Sequence, residues 1–201
     1  MPRDPWWMHA LLAVHVAAGA FCLVVPLLVL SAAKDGPTHR RWGRRYLLSM
    51  GLVAATALVM ALYRPVLFLA LVAVLSFYLA FSGYRVLKLK HLSRGGSPGS
   101  IDYIAALLTF AACAYLIAFA LVPPRWVQHM GVVALVLGAV GIRAAGTDII
   151  RFARKQAEPA FWLYSHIGKF LGSYIVSGLP APVRFKPRVS AADVLPPIPR
   201  A

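Results

Sequence analysis

The residues in this chain whose types could do chemistry are few, and most lie in apolar surroundings. His166, Lys169, Ser173 and Ser177 follow one another at steps of three or four. On a helix that spacing places them on one stripe. His15 sits alone in a second apolar run, beside the small residues Ala18, Gly19 and Cys22. An ionisable group at membrane depth is costly and is expected to face a bundle interior or a wet cavity. His15, His166, Lys169 and Ser173 together would suit a haem, a quinone headgroup, a small anion or a proton relay. Bis-histidine haem ligation would need two histidines on facing helices. His15 with His166 is one such pair, and His9 with His129 is a second. His39, Asp148 and His166 form another candidate set, because imidazole and carboxylate are ordinary ligands of divalent metals. The compact metal motif His-Glu-x-x-His does not occur.

Plainer roles compete with each of these. A lone histidine can simply hydrogen-bond a neighbouring helix, and Lys169 could extend to the headgroups along its aliphatic stem. Asp148 has Arg151 one helical turn away. Asp102 opens an apolar run, where an acid complements the helix dipole. Gly95-Gly96-Ser97-Pro98-Gly99 has the spacing of a hydrolase elbow but lies in a linker-like stretch, without the strand and helix that an elbow needs.

These side chains must be positioned by long apolar elements. The chain has 201 residues, 60% of them hydrophobic and only 13% charged. Soluble domains carry about 25% charged residues. Runs free of acidic and basic residues cover 5–33, 46–63, 66–84 and 103–122, while 126–147 contains only Arg143 and 160–179 only Lys169. Crossing a bilayer takes roughly 20 residues of helix. Sheet edges are not tolerated in lipid. The expected fold is therefore all-α: an integral membrane bundle of six helices over residues 1–183, with a Pro-rich tail over 184–201. Cys22 and Cys113 both fall inside apolar runs and read as small buried hydrophobes.

Net charge is +15. In a soluble protein that would suggest nucleic acid. Here the basic residues sit between apolar runs, so the sequence argues against nucleic acid and for anionic lipid headgroups. Lys34, Arg40, Arg41, Arg44 and Arg45 form one group; Arg85, Lys88, Lys90 and Arg94 a second; Arg143, Arg151, Arg154 and Lys155 a third. Six spans put these thirteen on one side, against seven on the other. The positive-inside rule then places the three groups in the cytoplasm and both termini outside, in a bacterial-type inner membrane.

The combination His15-x-x-x-Gly19, His39-Arg40-x-x-Gly43-Arg44-x-Tyr46, Asp148 and His166-x-x-Lys169 resembles a family of uncharacterised bacterial polytopic membrane proteins, a predicted-membrane-protein domain of unknown function. The resemblance covers roughly residues 9–180 and implies a helical bundle without an assigned activity. Arginine is commoner in that family at the position of Lys169, a change that keeps the charge and alters the donor geometry.

Three readings follow: a redox or cofactor-binding module, a metal-dependent enzyme or small transporter, and an accessory subunit or scaffold. In the third, polar residues act as interhelical glue and the partner is another membrane protein or a second copy. The topology is directly testable. A cytoplasm-active reporter fused at Ser97 should be active, and the same reporter at the C-terminus inactive. An active C-terminal fusion would overturn the orientation or the even span count.

Overall fold

The computed structural model describes residues 5–31, 33, 36–63, 67–90, 92, 96–121, 131–155 and 160–178. The Arg64-Pro65 turn, the Pro123-Pro124 stop, His129 and the tail over 184–201 lie outside the described residues. Among those described run six helices: α1 (Trp6–Ser31), α2 (Pro37–Tyr63), α3 (Leu67–Arg85), α4 (Ser100–Leu121), α5 (Gly131–Arg154) and α6 (Phe161–Gly178). A 3-10 turn over Val86–Leu89 continues α3. No strand occurs among the described residues.

Helix is the form that satisfies every backbone donor and acceptor within its own segment, as an apolar medium requires. Five of the six helices, α1 to α5, are long and apolar enough to cross a membrane. The shorter α6 carries His166, Lys169 and several serines and falls outside that group. The bundle also carries its large hydrophobics outward: Leu30, Leu48, Leu62 and Val132 are all well exposed, while Asp102 and Asp148 are buried. An outward apolar surface of this kind is compatible with a lipid-facing wall.

The helices alternate in direction. At one end Trp7 meets Tyr63 edge to face, with ring centroids 4.9 Å apart. At the other end of the same pair His39 Nδ1 donates to the Val29 carbonyl at 3.3 Å. The central element is α3, which packs against α2, α4 and α6. It shares Phe68, Leu75 and Leu79 with Val176 of α6 in one apolar cluster, so α6 follows α3 along most of its length.

The closest crossings are made by glycines. A Cβ on Gly141 would sit 2.1 Å from Cys113 Sγ, and one on Gly138 would sit 2.6 Å from Ile117 Cγ1. These contacts draw α5 tightly onto α4, as small residues do where helices associate without a hydrophobic driving force. The small-residue face of α5 is therefore buried. On α1 the small residues beside His15 are only partly so: Ala18 and Cys22 are buried, but a Cβ on Gly19 would meet nothing within 4 Å, so Gly19 marks no close crossing.

The basic segments differ from the expected loops. Most of 34–45 forms the first turns of α2, and α5 continues past Thr147 to Arg154. Arginine and lysine are good helix formers. Charge ends an apolar span, but it does not end a helix.

Gly141→Ala should destabilise the bundle by about 1–3 kcal/mol, the usual cost of overpacking, whereas Gly19→Ala should be close to neutral. Thermal unfolding in detergent would compare the two. A Gly141→Ala protein as stable as wild type would contradict the α4–α5 packing.

Candidate functional site

The buried face of α5 runs through Gly138, Gly141, Ala145 and Asp148 at helical spacing. The same close packing that buries the glycines carries Asp148 inward, to 2% exposure. A lone carboxylate there would be strongly destabilising. Tyr78 of α3 donates its hydroxyl to Asp148 Oδ2 at 2.6 Å. The Lys169 ammonium of α6 donates to the same oxygen. Arg151 Nη1 lies 3.6 Å from Oδ1, one turn along α5. Lys169 reaches this position because α6 approaches α3 closely at Gly83, where a Cβ would fall 3.1 Å from Lys169 Cβ and 2.9 Å from Phe170 Cδ2.

A second pair stands beside the first. Arg85 Nε and Nη2 donate to Asp102 Oδ1 and Oδ2 at 2.7 and 2.6 Å, a two-pronged contact. Gly99 N–H donates to Oδ2 at 2.9 Å, so Asp102 also reaches back over the first turn of its helix in the manner of a capping box. Its helix-capping role, legible from sequence, is thus joined by an ion pair to α3. Both pairs border a cavity of about 10 Å³ whose lining includes Tyr78, Ser82, Arg85, Asp102, Asp148 and Lys169. That volume admits about one water. Ser82 Oγ is the one buried side-chain oxygen or nitrogen among the described residues without a hydrogen-bond partner.

The α6 stripe does face inward, but each member has its own partners. His166 Nδ1 donates to the Gly83 carbonyl at 2.8 Å, and its ring packs on Phe170 and lies 6.4 Å from that of His39. Ser173, fully buried, donates to the Ser76 carbonyl at 2.9 Å and pairs with the Tyr46 hydroxyl at 3.1 Å. Ser177 turns back to the Ser173 carbonyl at 2.6 Å.

His15 is elsewhere. Its Nδ1 lies 2.9 Å from Thr56 Oγ1 on α2. Thr56 directs its own proton to the carbonyls of Leu52 or Val53, so His15 is the donor. Tyr46 marks the level of Ser173 on α2, and Thr56 lies ten residues further along, roughly 15 Å at 1.5 Å per residue. The structure therefore brings together His166, Lys169 and Ser173 on α6 without His15. Helical spacing fixes a stripe but not a level: helices α1 and α2, at 26 and 27 residues, are longer than a ~30 Å core needs, so position along the chain does not determine which side chains of different helices meet.

The metal set is likewise divided. His39 and His166 are neighbours, but Asp148 is taken up by Tyr78, Lys169 and Arg151. Among the described residues no three of His, Cys, Asp or Glu are grouped as metal ligands. His15 and His166 do not face one another as haem ligands would, and His129 lies outside the described residues. Sequence reasoning missed Tyr78, Ser82 and the Arg85–Asp102 pair. The available signal was a tyrosine and a serine one turn apart in an apolar run, leading to an arginine one further turn on.

Removing one partner of a buried ion pair typically costs about 3–5 kcal/mol. Lys169→Met and Asp148→Asn should each be strongly destabilising in a detergent unfolding titration. The double variant should recover up to about 3 kcal/mol relative to the sum, the range of coupling seen for residues in contact. Strict additivity would show that the pair is not coupled. Compared with known proteins, the chain matches no family model, no curated protein and no solved structure.

Proposed function

We propose that this chain is a multi-pass inner-membrane protein that moves protons through the Asp148–Lys169–Tyr78 cluster. In this reading α6 crosses the bilayer as a sixth span, the basic end of the bundle is cytoplasmic, and both termini lie outside. The observation that carries it is a buried carboxylate and a mostly buried ammonium in direct hydrogen-bond contact at the wall of a water-sized cavity. A proton passing from Lys169 Nζ to Asp148 Oδ2 leaves a neutral amine and a neutral carboxylic acid. Nothing else is consumed, and the reverse step restores the ion pair. In a medium of low dielectric two charges are costly to keep, which favours such an exchange. Water reaching the cavity could then take the proton from one partner and return it to the other.

The cavity also favours this chemistry over the larger ligands. A volume of about 10 Å³ has no room for a quinone ring or a haem. The stripe of Ser173, Tyr46 and Ser177 extends hydroxyls along α6 away from the cluster, in the direction a proton would need. A second reading is supported by the Arg85–Asp102 pair, in which the carboxylate is fully hydrogen-bonded between α3 and α4. There the polar groups only lock helices together in an accessory or scaffold subunit.

Reconstitution into liposomes separates the two. With an entrapped pH dye and a potassium diffusion potential set by valinomycin, the wild type should admit protons faster than protein-free vesicles. The Asp148→Asn/Lys169→Met double variant, which leaves no unpaired charge of the pair, should lower that rate at least tenfold while remaining folded by circular dichroism. Wild-type vesicles no leakier than empty ones would overturn the proton reading and leave the locking role.

A further inference from the structure

We propose that the first turns of α2 form a binding site for the two phosphates of a diphosphate phospholipid of the cardiolipin type. The inference rests on the chain spanning a membrane and is independent of the proton cluster. Helix α2 has 27 residues, about 40 Å at 1.5 Å per residue, against a hydrocarbon core of ~30 Å. Its first two to three turns must therefore stand at headgroup depth, and these turns hold Arg40, Arg41, Arg44 and Arg45, all exposed.

The direction in which they point is decisive. At about 100° per residue, Pro37, Arg40, Arg41, Arg44, Arg45 and Leu48 lie within roughly 140° of one side of the helix. His39, Tyr46 and Met50 take the opposite side, which packs into the bundle. The arginine side continues along α2 into Leu48, Leu52, Val59 and Leu62, which are exposed apolar residues of the lipid-facing wall. The four guanidinium groups thus look along the membrane plane, over lipid, at the level where phosphates lie. A positive-inside segment that served only topology would need no such alignment.

The arrangement has two rows, Arg40 with Arg44 and Arg41 with Arg45. Members of a row are one turn apart, with Cβ atoms about 6 Å from each other. Guanidinium forks match phosphate oxygens two at a time. Two rows side by side suit two linked phosphates better than one. Trp42 fixes one edge: it packs near Phe21 of α1, with ring centroids 6.4 Å apart, and carries the Arg45 guanidinium over its face at 4.6 Å. Pro37, Thr38, Leu48 and these α2 side chains line one open stretch of surface, accessible to a headgroup.

Native mass spectrometry of the protein titrated with cardiolipin, phosphatidylglycerol and phosphatidylcholine tests the site. The wild type should retain cardiolipin at least tenfold more tightly than phosphatidylglycerol, and phosphatidylcholine least. The R40Q/R41Q/R44Q/R45Q variant should lose that preference, and R40Q/R44Q, which keeps one row, should bind the two anionic lipids alike. A control with equal charge loss elsewhere at the same end, K88Q/R143Q/R154Q/K155Q, should behave as wild type. Cardiolipin retained equally by the quadruple variant, or lost equally by the control, would overturn the site. Equal wild-type affinity for the two anionic lipids would overturn the paired-phosphate geometry. Inorganic pyrophosphate binding the lipid-free protein as tightly as cardiolipin does would instead assign a soluble anion and overturn the lipid.

Discussion

A carboxylate inside an apolar bundle must be compensated by opposite charge and hydrogen-bond donors, and Asp148 meets that demand from three helices at once. Tyr78 is on α3, Arg151 on α5 and Lys169 on α6. In water such a pair would contribute little. Between apolar helices, losing one partner leaves an unpaired buried charge, so the pair dictates how α6 sits against the bundle. The α3 register follows from it: Gly83 must lie opposite Lys169 and Phe170, and Ser76 opposite Ser173.

Close approach is what lets these short polar contacts form. Glycines at positions 138 and 141 bring α5 onto α4, and Gly83 brings α6 onto α3. Large side chains such as Met50, Leu75 and Leu116 are fully buried between the helices. The cavity bordered by Ser82 and the two ion pairs is about 10 Å³, room for about one water.

The two ends of the molecule are chemically unlike. One end gathers the arginine-rich start of α2, the Arg85–Asp102 pair, Lys90 over the Trp162 ring and Arg151 over Phe161. The other end shows Trp7 stacked edge-on against Tyr63, an aromatic pair of the sort found at membrane interfaces. Both proposed activities draw on the first end. The proton cluster uses charges turned inward, and the lipid site uses charges turned outward along α2.

Much of this was legible in the sequence alone. Long runs without charge dictate helices, because only helical backbone is satisfied in lipid, and the observed elements are all helical with five able to span. The steps from His166 to Ser177 established an inward polar stripe on α6, since helical periodicity is a local property. Asp148 with Arg151 and Asp102 at a helix start were readable for the same reason. What the tertiary structure decided is which stripe meets which. His15 pairs with Thr56 rather than with Lys169, and Asp148 turns to Tyr78 and Lys169 rather than to His39. Those choices depend on helix register. Register is set by contacts between segments distant in the chain, such as His15 with Thr56 and Gly141 against Cys113, which no local spacing encodes.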